Sequence, residues 1–200
     1  MVRRRLYIVA VAALGTFAAS ACSSNPTTPT PAPFETASPT TSPPAPAPPA
    51  PIGIVSDSAL FTFVTQMQPF STYTLFPNLD AGADGILPAS SAHQPLIRVS
   101  LNATAASALR DGRLPTGATF PDGSVIFKEV LTSGRMPSVY AVMYRDRANA
   151  NAGNGWLWAE LRPNGGVDYS IANHGSACTG CHLLGRGSLN DSVRVFERQR

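Results

Sequence analysis

The stretch GSACTGCHLLG (175–185) gathers two thiols and an imidazole within five residues, Cys178, Cys181 and His182. A Cys-x-x-Cys pair has few uses. A structural zinc ion needs four ligands, and the only other cysteine, Cys22, belongs to a leader-like segment. A redox pair of the thioredoxin kind would open a βαβ pattern, which is absent here. A plain disulfide across two residues would be strained and would leave His182 without a role. Covalent attachment of one c-type haem accounts for all three residues: each thiol adds to a haem vinyl group, and His182 ligates the iron from the proximal side.

Position narrows the reading. The motif lies late, with 18 residues after His182, and no methionine follows it. An ordinary electron-transfer cytochrome c carries its motif early and takes a methionine from downstream. Met67, Met136, Met143, His93 and His174 could each supply a sixth ligand. Met67 and Met143, however, fall on apolar patterns that read as core, and both histidines sit in loop-like contexts. The favoured state is a five-coordinate haem with an open face for a small molecule.

The second residue of chemical interest is Lys128, the only lysine beside fourteen arginines. In GSVIFKEV it shares a strand face with Ile126 and Val130, while Phe127 and Glu129 point the other way. Either Lys128 or Glu129 therefore points inward or lies near an edge. The plain alternative puts Lys128 on a solvated face.

These groups need elements to hold them. Asp57 reads as the cap of a helix with Leu60, Phe61, Val64 and Met67 on one stripe, ended by Pro69. A stretch punctuated by proline and glycine follows, through Pro77, Gly82, Gly85 and Pro88. HQPLIRVSLN (93–102) alternates as a strand, and Asn102 caps a short helix, Ala103–Arg110, stopped by Asp111-Gly112. FPDGSVIFKEV (120–130), SVYAVMYRD (138–146) and GWLWAEL (155–161) read as strands with short turns, hence an antiparallel sheet. The fold class is α+β: an antiparallel sheet with flanking helices and a C-terminal haem-attachment segment.

The N-terminal quarter carries no core. Arg3–Arg5 and the apolar run Leu6–Ala19 form a signal peptide over 1–21, too short for a membrane span of about 20 residues. Ala19-Ser20-Ala21-Cys22 resembles a bacterial lipobox, with Cys22 the acylated residue and a lipid anchor to the membrane. Simple cleavage after Ala-x-Ala stays open, because Ala19 replaces the usual leucine. Residues 22–51 hold 11 of the 19 prolines, so they read as a disordered tether, and 52–200 is the folded haem-binding domain. With the leader removed, twelve acidic residues face twelve basic ones. The basic pI thus belongs to the leader and implies no nucleic-acid partner.

Taken together, CTGCH, TGATFPDGSVIFKEV (116–130), YAVMYRD, GWLWAEL with its PNGG turn, and DSVRVF (191–196) resemble the cytochrome P-460 family, which includes the beta-sheet cytochromes c′. The likeness covers roughly residues 70–197. It implies an antiparallel sheet, a homodimer, and one covalent five-coordinate haem c in an exported, periplasmic or membrane-tethered bacterial protein. In hydroxylamine-oxidising members a lysine in a segment like GSVIFKEV is bonded to the haem macrocycle, and Lys128 stands at that position. The resemblance then implies oxidation of hydroxylamine or nitric oxide, with electrons passed to a soluble carrier protein. Relatives without the bond bind nitric oxide or carbon monoxide without turnover, and a six-coordinate electron-transfer cytochrome is the remaining alternative. For a distal proton acceptor the polar residues near the motif are Asn173, His174 and Asp168; Phe61 and Phe127 are aromatics for a distal wall.

Overall fold

β-Branched and aromatic residues in alternation pair into the centre of an antiparallel sheet: β4 (Val125–Leu131), β5 (Pro137–Arg145) and β6 (Trp156–Leu161). Around them lie β1 (Thr74–Leu75), β2 (Ile86–Pro88), β3 (Leu96–Leu101) and β7 (Val167–Tyr169), in the order β1-β3-β4-β5-β6-β7. β2 pairs with β3, so β1 and β2 share one edge of that strand. The short strands β1, β2 and β7 fall in stretches whose prolines and glycines hide any period. The computed structural model describes residues 53–89 and 92–200, which fall in one compact unit. The leader, Cys22 and the tether lie outside the described residues. Among the described residues no helix is long and apolar enough to cross a membrane.

The sheet is covered on both sides. One face presents Val99, Leu101, Ile126, Met143, Trp156 and Trp158, packed under Ala105, Phe120, Val193 and Phe196. The other presents Phe127, Val142, Tyr144, Leu157 and Ala159, packed under Leu60, Phe63 and Val64 of the first helical segment. Burial of each large apolar side chain contributes about 1.5–3 kcal/mol, so a lysine on either face lies beside a largely apolar covering.

The first helix starts differently from expectation. Ser56, not Asp57, caps α1 (Asp57–Thr62), its Oγ accepting from Ala59 N at 3.1 Å. The Asp57 carboxylate instead accepts from Ser170 Oγ at 2.6 Å and Ile171 N at 2.8 Å, pinning the helix to the chain after β7. Residues Phe63–Met67 continue as a π-helical turn, with Gln68 N donating to Phe63 O. The wider turn breaks the 3.6-residue period, and Met67 emerges 57% exposed rather than in the core.

α2 (Ala103–Ser107) is shorter than expected. Its end tightens, with Ala108 N and Leu109 N bonding three residues back, and a turn through Asp111 and Gly112 ties Arg110 to Arg113. Asn102 joins helix to sheet: its Oδ1 accepts from Ala105 N and Val125 N, both at 2.9 Å, and its Nδ2 donates to Gly123 O at 2.8 Å. Asn102→Ala orphans two buried backbone amides and is expected to destabilise the domain by about 2 kcal/mol, read as a lower urea midpoint at unchanged slope.

Candidate functional site

The Cys-x-x-Cys-His segment forms α3 (Ser176–His182) on the face of the sheet that carries Trp158. Gly175 begins the helix at φ 69°, and a Cβ there would fall 2.3 Å from the Trp158 ring. Only glycine lets the indole close under the helix. Trp158 is fixed in turn by its Nε1, which donates to Gly153 O at 2.8 Å, and its ring meets the His182 imidazole edge-on at 4.9 Å. Past the helix, Gly187 passes so close that a Cβ would lie 2.0 Å from His182 O. Cys178 is half-buried against the core, and Cys181 is exposed.

His182 Nδ1 donates to the Ser192 carbonyl at 2.8 Å. A carbonyl can only accept, so Nδ1 carries the proton and Nε2 keeps its lone pair. Burial, reinforced by the charge of Lys128, pushes the imidazole down to about 4, against the raising effect of the Ser192 bond. The ring is therefore neutral at ordinary pH, the form that ligates metal. Burial likewise pushes the Cys178 thiol up to about 11.

A second group sits on the same face. Cross-strand pairing places Lys128 opposite Ala141 and Ala141 opposite Glu160. Lys128 and Glu160 thus stand two strands apart, about 10 Å at the backbone, with a small residue between. His93, from the segment entering β3, bridges them: its Nε2 lies 2.9 Å from Glu160 Oε1 and its Nδ1 3.1 Å from Lys128 Nζ. A carboxylate accepts only, so Nε2–H donates to Glu160 and Nδ1 accepts from the amine. The bond from His93 holds the Glu160 carboxyl below its ordinary range. Desolvation brings the Lys128 ammonium down to about 8, with Glu160 and Cys178 opposing.

The solvated-face alternative for Lys128 is thus corrected: the residue is half-buried and bonded to His93. Glu129 points to the opposite face, paired with Arg98 through bonds of 2.5 and 2.8 Å. Asn173 and His174 are exposed, and Asp168 pairs with Arg162 at 2.8 Å on the surface. Phe61 and Phe127 lie with the cluster on the other face, Phe127 stacked on Phe70. Met67 and Met136 are exposed, whereas Met143 is core as expected. Glu160, which the sequence reading did not single out, is the carboxylate that faces Lys128. Its parity with Trp156 and Trp158 was readable, but its register against β4 was not.

Residues 87–193 match the family model described as Cytochrome P460, a span from β2 through the Cys-x-x-Cys-His motif to Val193. The chain belongs to the cytochrome P460 family. No curated protein matches it. The family is one of c-type haem proteins, and the residues present fit that group. Two thiols lie one helical turn apart, and a neutral imidazole follows with its Nδ1 already engaged and its Nε2 free of that bond. In this cytochrome P460 the lysine, histidine and glutamate cluster occupies the same side of the sheet as the motif.

The single lysine makes the cluster measurable. The 13Cε resonance of Lys128 in lysine-labelled apoprotein is expected to titrate near pH 8, well below an ordinary lysine. Glu160→Gln removes an attracting charge and is expected to lower the midpoint further. Because the folded amine holds its proton more weakly than the unfolded one, stability falls as pH drops from the unfolded lysine range toward about 8 and levels off below it. A midpoint near 10 in the folded protein would contradict the desolvated environment.

Proposed function

We propose that this chain is an extracytoplasmic monohaem cytochrome that binds hydroxylamine or nitric oxide and oxidises it. Cys178 and Cys181 would carry the haem through two thioether bonds, and His182 would hold the iron through Nε2. Haem so bound supplies an open iron position for a small nitrogen ligand and a route for its electrons to a soluble carrier.

The observation that carries the reading is the Lys128–His93–Glu160 chain on the motif's face of the sheet. Glu160 is an anion at neutral pH and His93 presents its Nε2 proton to it. A proton taken up at Lys128 can be relayed, Nζ giving one to His93 Nδ1 while the Nε2 proton passes to Glu160, which is the task of a general base in oxidising an N–H substrate. Lys128, brought down to about 8, reaches its neutral amine form far nearer neutral pH than an ordinary lysine, and the neutral amine is the form that a bond to the haem macrocycle requires. Trp158 packs against one side of the His182 ring, restricting its rotation.

Intact mass of the holoprotein is expected to report one haem joined through two thioethers. Glu160→Gln is expected to lower hydroxylamine oxidation by about 10²- to 10⁴-fold with haem content unchanged. A holoprotein that binds nitric oxide but never turns over hydroxylamine would place the chain with the gas-binding relatives. A low-spin six-coordinate spectrum at neutral pH would overturn the open-site reading.

A further inference from the structure

The contact that orients His182 comes from a residue with an unusual backbone. Ser192 has φ 70° and follows Asp191 at φ 51°. Two successive residues with a Cβ in the left-handed region are costly and persist only when their surroundings hold them. Here a buried ion pair does so. Arg145, the last residue of β5, places Nη1 3.2 Å from Asp191 Oδ1, and both side chains are about one-twentieth exposed (6% and 5%).

Each partner is tied further. Arg145 Nη1 also donates to Asn154 O at 2.8 Å, and its guanidinium carbon lies 5.1 Å from the Trp156 ring centroid. Asp191 Oδ2 accepts from Phe120 N at 2.8 Å, and its carbonyl accepts from Trp156 Nε1 at 3.0 Å. Asn154 Nδ2 closes the loop by donating to Ser192 Oγ at 2.6 Å. The turn after β5 and the turn before the C-terminal 3-10 helix (Arg194–Arg198) are thus clamped together beside the proximal imidazole.

A buried charge pair is a poor way to gain stability, because desolvation offsets the attraction. Desolvation acts on both partners, lowering the Arg145 value and raising that of Asp191. Arg145 Nε, also buried, has no hydrogen-bond partner. The arrangement is better explained by what it fixes: the direction of the Ser192 carbonyl toward His182 Nδ1, which governs how strongly the imidazole donates through Nε2.

We infer that Arg145 and Asp191 are positioning residues for the proximal ligand, aiming the Ser192 carbonyl at His182 and thereby tuning the iron. The inference rests on the reading of His182 as the iron ligand. With the pair intact, the aligned Nδ1–H···O bond makes the imidazole more basic and favours the ferric state. With the pair gone, the left-handed turn relaxes, the carbonyl swings and the imidazole donates less.

The test uses holoprotein carrying Asp191→Asn, and separately the double variant Arg145→Met/Asp191→Asn. Asparagine tolerates a left-handed backbone and keeps an acceptor for Phe120 N; the single variant leaves the buried Arg145 charge unpaired and the double variant removes it, so the pair separates loss of the turn's anchor from the cost of a stranded charge. In both, the ferrous iron–histidine stretching band is expected to move to lower frequency and the midpoint potential to rise, with one covalent haem retained by mass. A purely structural role would lower the melting temperature and leave band and potential at wild-type values; that result in Asp191→Asn overturns the inference. Wild-type protein with no covalent haem by mass would sink the ligand assignment itself, a failure visible before any variant is made.

Discussion

Burial of the sheet on both faces is the constraint from which the site follows. Strands β4 to β6 are covered over most of both sides, so a polar group on them gains by finding a partner among its neighbours. Glu129 solves this with Arg98 on the face under the first helix. Lys128 solves it on the opposite face by bonding to His93 and giving up much of its hold on a proton. An ordinary surface lysine would be charged and chemically quiet. The same covering that builds the core weakens this one's hold on its proton.

The two ends of the site are held by different means. The end with His182 is set by backbone: glycines at 175 and 187 permit close approach, and a left-handed carbonyl at Ser192 receives the imidazole proton. The end with Lys128 is set by strand register, which aligns Lys128, Ala141 and Glu160 across three strands. Rigid elements thus carry the side chains of the candidate site, while the turns supply the fine aim.

Legibility in the sequence followed the same division. CTGCH needed no fold to be read, because three residues within five carry the whole signal. The long strands were legible from alternation, and Asn102 from its place before an alanine run. Met67 was misjudged because a π-helical turn changes the period without any mark in residue type. Glu160 and His93 could not be joined to Lys128, since their meeting depends on register between β4, β5 and β6 and on the path into β3. The Arg145–Asp191 pair was hidden for a similar reason: each is a common turn-flanking residue, and only the folded chain brings them together.

Ala141 has a consequence of its own. Its methyl group leaves, between two strands' worth of longer side chains, a gap that one imidazole ring spans. The ring links β4 to β6 through side chains alone, across a strand that contributes only a methyl group, so the carboxylate and the amine share one imidazole instead of meeting directly.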